Sequence, residues 1–322
     1  MKLLKHIALY VLLTMTVGLQ AGETELGETE TGETKLGETG KTKLGETKLG
    51  ETEIGETKLG KTELDETEIY ELAKRLLQSH RNNQFLPFVS SSHPNLSVEQ
   101  AYLVQRYYVE KRLADEKPAG FKAGLTSLAA QKAFKINQAV TGVLFGSGDL
   151  SAAKLIKLSQ FKRVMLETEI GFEIGKAITE PIANQAELKQ YIKAVFPVIE
   201  LPDLGAAVKP TAVVDIIAAN VGAAAFIKGK PVTNFAELDF NALKITLTPD
   251  EETVDVVQGA NTLGNQWDTV LWLVNSVIAH GWTLEPGQFV ITGSVGKITM
   301  PEPGNYTANF GKLGQISFLV VL

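Results

Sequence analysis

Two rhythms run through the sequence from Ile69 onward. Ile69, Leu72, Ala73, Leu76 and Leu77 recur at helical spacing, and Asn82-Asn83 is a reasonable stop. Pro87 and Pro94 mark a loop, after which Ser97-Val-Glu-Gln100 reads as a capping box opening a second helix through Leu113. Phe121 to Thr126 reads as a short strand, and Ala129 to Phe134 as a short helix. The rhythm is sharpest in Arg163 to Ile174. Val164, Leu166, Thr168, Ile170, Phe172 and Ile174 alternate there with mostly polar residues, the pattern of a half-buried strand. Asp215 to Ile227, rich in alanine, predicts a buried helix. Leu243–Thr248 and Thr253–Val257 alternate like a hairpin around Pro249-Asp250. Trp267 to Ala279 predicts an apolar-faced helix with Gly281 as its cap, and Gln288–Thr292 and Gln315–Val321 predict strands. Helices at the front and strands concentrated after Arg163 predict an α+β fold.

The start of the chain has a different character. Lys2 and Lys5, the apolar run Ile7–Gly18 and Leu19-Gln-Ala21 predict a signal peptide over residues 1–21. The apolar run is short for a transmembrane helix, so no stable membrane span is expected after processing, and an uncleaved anchor is the alternative. Residues 22–68 repeat Gly-Glu-Thr-Lys/Glu-Leu/Ile about every five residues. That period puts the aliphatic residues on no single face of a helix or strand, which predicts a disordered tether before a body spanning 69–322. The expected protein is exported, periplasmic or secreted.

Charge follows the same division. The whole chain carries −6, yet the repeat holds fourteen acids against six lysines, which leaves the body close to neutral. A neutral body gives no electrostatic reason to bind nucleic acid. Cysteine is absent from the sequence, which excludes disulfides and thiol nucleophiles. Tyr102, Tyr107 and Tyr108 read as packing groups and His80 and His93 as surface residues, while His280 falls at a helix C-terminus, where a cation is favoured.

The candidate chemistry is acidic. Glu167 and Glu169 are two apart on the expected strand and share a face, where they repel unless a cation, a proton or water relieves them. Glu200 sits in the apolar run Phe196-Pro-Val-Ile-Glu-Leu-Pro-Asp203, where an unpaired carboxylate is costly. Three carboxylates from two strands could hold a hard divalent cation such as Mg2+. Lys122, between Phe121 and Ala123, reads as solvent-facing on composition alone. Beside a divalent cation and apolar walls, its pKa would be lowered.

Glu167-Thr-Glu169 followed by Glu200 resembles the Glu-x-Glu…Glu metal site of the fumarylacetoacetate hydrolase superfamily. Ala101–Gln105, Gly120–Thr126, Gly142–Phe145, Val214–Asn220, Leu284–Gly287 and Thr292–Ser294 resemble its branch of 2-oxopent-4-enoate hydratases and 4-oxalocrotonate decarboxylases. The resemblance covers about Ile69 to Leu322. It implies a helical N-terminal part packed on a mixed β-sandwich roll, a homo-oligomer, and Mg2+ or Mn2+ held by Glu167, Glu169 and Glu200. It implies Lys122 as the catalytic proton carrier and Thr126 and Ser294 as substrate-binding residues. The implied reaction adds water to a 2-hydroxypenta-2,4-dienoate-type acid, giving a 4-hydroxy-2-oxo acid. The alternatives are decarboxylation of a 4-oxalocrotonate-type 2-oxo acid, or an exported relative that binds oxo acids without catalysis. Relatives usually work in the cytoplasm, the alternative to export. Two positions depart from the pattern: Val140 replaces the branch's acid/base aspartate, and Leu204-Gly205 stands where an arginine follows the third glutamate's strand.

Overall fold

The computed structural model describes residues 64–113, 117–210, 212–249, 257–258 and 264–322. The expected signal peptide and nearly all of the repeat lie outside these residues. The described body, Leu64–Leu322, forms one compact unit.

It opens with helix α1, Glu66–Arg81, whose N-cap Asp65 and N3 residue Glu68 close a reciprocal capping box. Asp65 to Glu68 therefore make the first turn, and the body begins before the Ile69 expected from the apolar spacing. The cap is polar, so hydrophobic periodicity could not register it. Helix α2, Val98–Arg112, carries the predicted Ser97–Gln100 box, and packs on α1.

Strand β1, Pro118–Gly124, leads through helix α3, Leu128–Phe134, to strand β2, Val140–Phe145. A short strand β3, Leu155–Lys157, precedes β4, Glu167–Ile174, and β5, Ile192–Leu201. The alanine-rich segment expected as one helix divides into three parts. Helix α4, Val213–Ala218, stops where Asn220, Val221 and Gly222 take left-handed backbone, and strand β6, Ala225–Lys228, follows. Strands β7, Lys244–Pro249, and β8, Val257–Gln258, pair antiparallel as the hairpin pattern predicts, and residues 250–256 between them lie outside the described residues. Helix α5, Gln266–Ala279, ends at His280, and Gly281 supplies the left-handed residue beyond it. Strands β9, Phe289–Ile291, β10, Gly304–Asn309, and β11, Gln315–Val321, complete the chain. Among the described residues no helix is long and apolar enough to cross a membrane.

The strands form two mixed sheets, ordered β2-β1-β9-β4-β5-β6 and β3-β11-β10-β7-β8. Both sheets and the helices contribute to one core, which realises the expected α+β architecture. The first sheet divides its residues by parity. Ile170, Phe172, Val195 and Ile199 enter the main core. The opposite face carries a second apolar cluster of Leu144, Phe196, Val198, Phe226, Phe289 and Ile291. Strand β4 is therefore covered on both faces, and of its row of glutamates Glu169 is buried while Glu167 and Glu173 are half-buried.

His280 departs from its expected role. Its ring stacks on Tyr102 at 3.8 Å, and Nδ1 lies 3.3 Å from the Thr141 hydroxyl on β2. Burial holds the imidazole down to about 4 against an opposing pull from Glu99, so the helix end carries a neutral ring. The unfolded chain takes up this proton first as pH falls below about 6.5, which removes stability over the window down to about 4. His280→Gln is expected to reduce by about 2 kcal/mol the stability lost between pH 7 and pH 4.5. Urea unfolding at the two pH values measures it; equal losses in wild type and variant would show that His280 takes up its proton normally in the folded protein.

Candidate active site

The register of β4 and β5 assembles the acids. Glu167 and Glu169 are two apart on one face of β4, and Glu200 on β5 pairs directly across from Glu167. Like charges opposite each other on a sheet repel, so this arrangement needs compensation. One source is Lys122. It pairs with Ile291 of β9, which pairs in turn with Gly171 of β4, so Lys122 shares the face of the glutamates. Its Nζ forms an ion pair with Glu200 Oε1. Strands β1 and β5 stand three places apart, about 14 Å along a flat sheet, further than the two side chains together can span. The sheet therefore curls around this face, which makes the face concave.

The cluster is deeply withdrawn from solvent: Glu169 and Glu200 are 0 % exposed and Lys122 is 2 % exposed, while Glu167 is half-buried. Burial, then the charge of Glu200, raises Glu167 to about 7. Glu169 is pushed well above the carboxylate range by burial and by the charges of Glu200 and Glu167. Burial also pushes the Lys122 ammonium down, but Glu200, Glu167 and Glu169 together outweigh it and hold Lys122 above the ordinary lysine range. The charges of the chain itself thus act opposite to the expected depression. That expectation rested on a neighbouring cation, whereas the chain's own charges around Lys122 are negative.

Gly293, just beyond β9, fixes the third side of the site. Its backbone adopts φ +91°, and its N–H donates to Glu169 Oε2 at 2.7 Å. That N–H is thus committed to a site carboxylate. Thr126 is buried beside it, where a Cβ on Gly293 would lie 2.5 Å from the Thr126 hydroxyl oxygen. Ser294 is half-buried and donates to the Gly296 carbonyl at 3.1 Å. The structure thus brings Lys122 and the three glutamates into one cluster, with Thr126 and Ser294 at the adjoining ends of β1 and β9.

The donor set fits a hard divalent cation. Glu167, Glu169 and Glu200 each offer an oxygen, all within 4.8 Å of one another. Glu169 Oε1 and Glu200 Oε2 are buried without a hydrogen-bond partner, and such acceptors are costly unless something binds them. Fully ionised, three carboxylates and one ammonium leave two negative charges.

Both departures from the branch pattern are visible. Val140 is buried on β2, two residues from Gly142, on the face that carries Lys122. Beyond β5, Asp203 accepts from the N–H groups of Lys162, Arg163 and Gly205, closing a turn in which Gly205 has φ +61°.

No protein-family model matches the chain. Curated relatives do. It is 25 % identical over 236 residues, 73 % of this chain and 88 % of the other, to a 2-keto-4-pentenoate hydratase of Paraburkholderia xenovorans (strain LB400). It is 24 % identical over 251 residues, 77 % of this chain and 95 % of the other, to a 4-oxalocrotonate decarboxylase of Pseudomonas sp. (strain CF600). A solved 4-oxalocrotonate decarboxylase from Pseudomonas putida G7, complexed with magnesium and adipate, superposes with TM-score 0.73. That match covers 80 % of this chain and 99 % of the other at 22 % identity. The chain's homologues are thus named as 2-keto-4-pentenoate hydratases and as a 4-oxalocrotonate decarboxylase, the branch that the sequence resembles. That solved structure shares this chain's fold, and the Glu-x-Glu…Glu pattern of the sequence coincides with the buried cluster.

Sequence reasoning missed Asn220 as a contributor to this site. It is buried, and its carboxamide bonds both the N–H and the carbonyl of Val143 at 2.8 Å. The available signal was a polar residue closing the apolar run Ile216–Ala219, a position that needs hydrogen-bond partners if buried.

Proposed function

We propose that the chain is a divalent-metal-dependent lyase that hydrates a 2-hydroxypenta-2,4-dienoate-type acid to a 4-hydroxy-2-oxo acid. The observation carrying this reading is the buried triad of Glu167, Glu169 and Glu200 with Lys122 bonded to it. Glu167, Glu169 and Glu200 would hold magnesium or manganese, which would supply a Lewis acid for negative charge developing on the substrate. Lys122 Nζ holds the proton exchanged with the substrate's carbon chain, and Glu200 Oε1 aims it. The Gly293 N–H pins one oxygen of Glu169 and leaves the other facing the cluster. Thr126 and Ser294 bind the substrate at the ends of β1 and β9. Phe196, Val198 and Ile291 on the same face limit water beside the reacting chain. A homo-oligomer carried out of the cytoplasm by Met1–Ala21 belongs to the same proposal.

Val140 favours a second reading, decarboxylation of a 4-oxalocrotonate-type acid. Loss of CO2 requires one proton delivered to carbon, whereas hydration also requires a group that activates water. An apolar residue beside Lys122 suits the simpler demand. The test offers each acid to the full chain with Mg2+ or Mn2+. Formation of the 4-hydroxy-2-oxo acid is expected, and CO2 release from 4-oxalocrotonate alone would favour the second reading. Turnover of neither acid with either metal overturns the lyase assignment.

A further inference from the structure

Three non-glycine residues with left-handed backbone lie in the segments next to Lys122 and over it. Leu125, immediately after β1, has φ 54°, and Asn220 and Val221 have φ 55° and 54°. For a β-branched residue such as Val221 this conformation is strained, and it persists only where its surroundings impose it. The surroundings here are specific. The Asn220 carboxamide takes both backbone groups of Val143, as a neighbouring strand would, and so ties the turn to β2. The Gly222 carbonyl accepts from Asp203 N–H at 2.8 Å, tying the same turn to the segment that leaves Glu200.

The turn lies over the lysine. Gly142, which pairs with Lys122, has no side chain, and the space above it is filled from three sides. A Cβ there would lie 2.8 Å from the Asn220 carbonyl oxygen, 3.2 Å from Lys122 Cγ and 3.2 Å from Val221 Cβ. Val221 also closes over Gly124, where a Cβ would lie 2.4 Å from its Cγ1. We propose that the strained turn Asn220-Val221-Gly222 is a positioning device, in which Val221 and the Asn220 carbonyl wall the Lys122 stem and confine its ammonium to the Glu200 side. A lysine stem has four rotatable bonds, and small displacements of a reacting group cost large factors in rate. The strain is retained because relaxing the turn would open that wall.

The inference rests on Lys122 as the proton carrier, so its test includes Lys122→Met. Steady-state kinetics on the 2-hydroxydienoate with Mg2+ are run beside melting curves for wild type, Val221→Gly and Val221→Thr. Glycine relieves the strain and removes the wall; threonine keeps the branched shape. Val221→Gly is expected to melt close to wild type, relieved strain offsetting lost burial, yet to lose about 10- to 100-fold in kcat, with KM changed less than about twofold. Val221→Thr is expected to keep kcat within about threefold. Should the glycine variant fail to fold, Val221→Ala replaces it with the same kcat expectation. Full kcat in the glycine or alanine variant, or an equal loss in the threonine variant, overturns the proposal. If Lys122→Met itself keeps its turnover, the proton-carrier reading fails, and the positioning role falls with it.

Discussion

Lys122→Met is expected to lower turnover of the 2-hydroxydienoate by ~10²–10⁴-fold, the usual contribution of a positioned acid or base. Methionine preserves much of the stem that occupies the space beside Gly142, so the wall formed by Val221 and Asn220 keeps its partner. What is lost is the ammonium bonded to Glu200 Oε1. Steady-state kinetics beside a calorimetric Mg2+ titration separate the two roles of the cluster. The loss should appear in kcat, with Mg2+ binding retained, because the lysine offers the metal no oxygen. Unchanged turnover would remove Lys122 from the mechanism. Collapse of Mg2+ binding together with turnover would make it a structural part of the acid cluster.

The second large effect concerns the acids. Mg2+ or Mn2+ at 100 times its dissociation constant should stabilise the folded chain by about 2.7 kcal/mol, which moves the melting temperature of a domain this size by about 5–10 °C. Glu169→Gln should abolish most of that shift, since it removes one of the two unpartnered carboxylate oxygens and a charge. A variant with Glu167, Glu169 and Glu200 all changed to Gln should show none; a wild-type shift there would refute the site. The shift should also grow with pH. Without metal, Glu167 titrates near 7 and Glu169 well above the ordinary carboxylate range, so the folded chain binds more protons than the unfolded chain above pH 4.5. Metal-free stability therefore falls as pH rises through that window, while the cation meets less competition from protons. A Tm shift as large at pH 6 as at pH 8 would mean that the cation binds elsewhere.

How much of this was legible beforehand depends on the range of the interactions. Caps and amphipathic helices are local. Ser97–Gln100 and the Trp267–Ala279 segment were readable because their residues are neighbours in sequence. The alternation of β4 was equally local, and it placed Glu167 and Glu169 on one face before any partner was known. The resemblance named Glu200 and Lys122, and the buried apolar run around Glu200 gave independent reason to look there.

Tertiary structure decided the rest, because each remaining feature depends on what covers a surface. Alternation cannot tell a solvated polar face from one closed over by a second apolar cluster, so the burial of the Glu169 row emerged only from the curled sheet. The direction of the Lys122 shift followed from carboxylates 45, 47 and 78 residues away in sequence, and that of His280 from burial against elements far from its own helix. The alanine-rich stretch has the composition of a helix throughout, yet bonds from Asn220 to Val143 stop it and turn it into strand β6. Sequence alone determined which residue types were available and which faces they shared; long-range pairing determined which charges met, and with that their protonation.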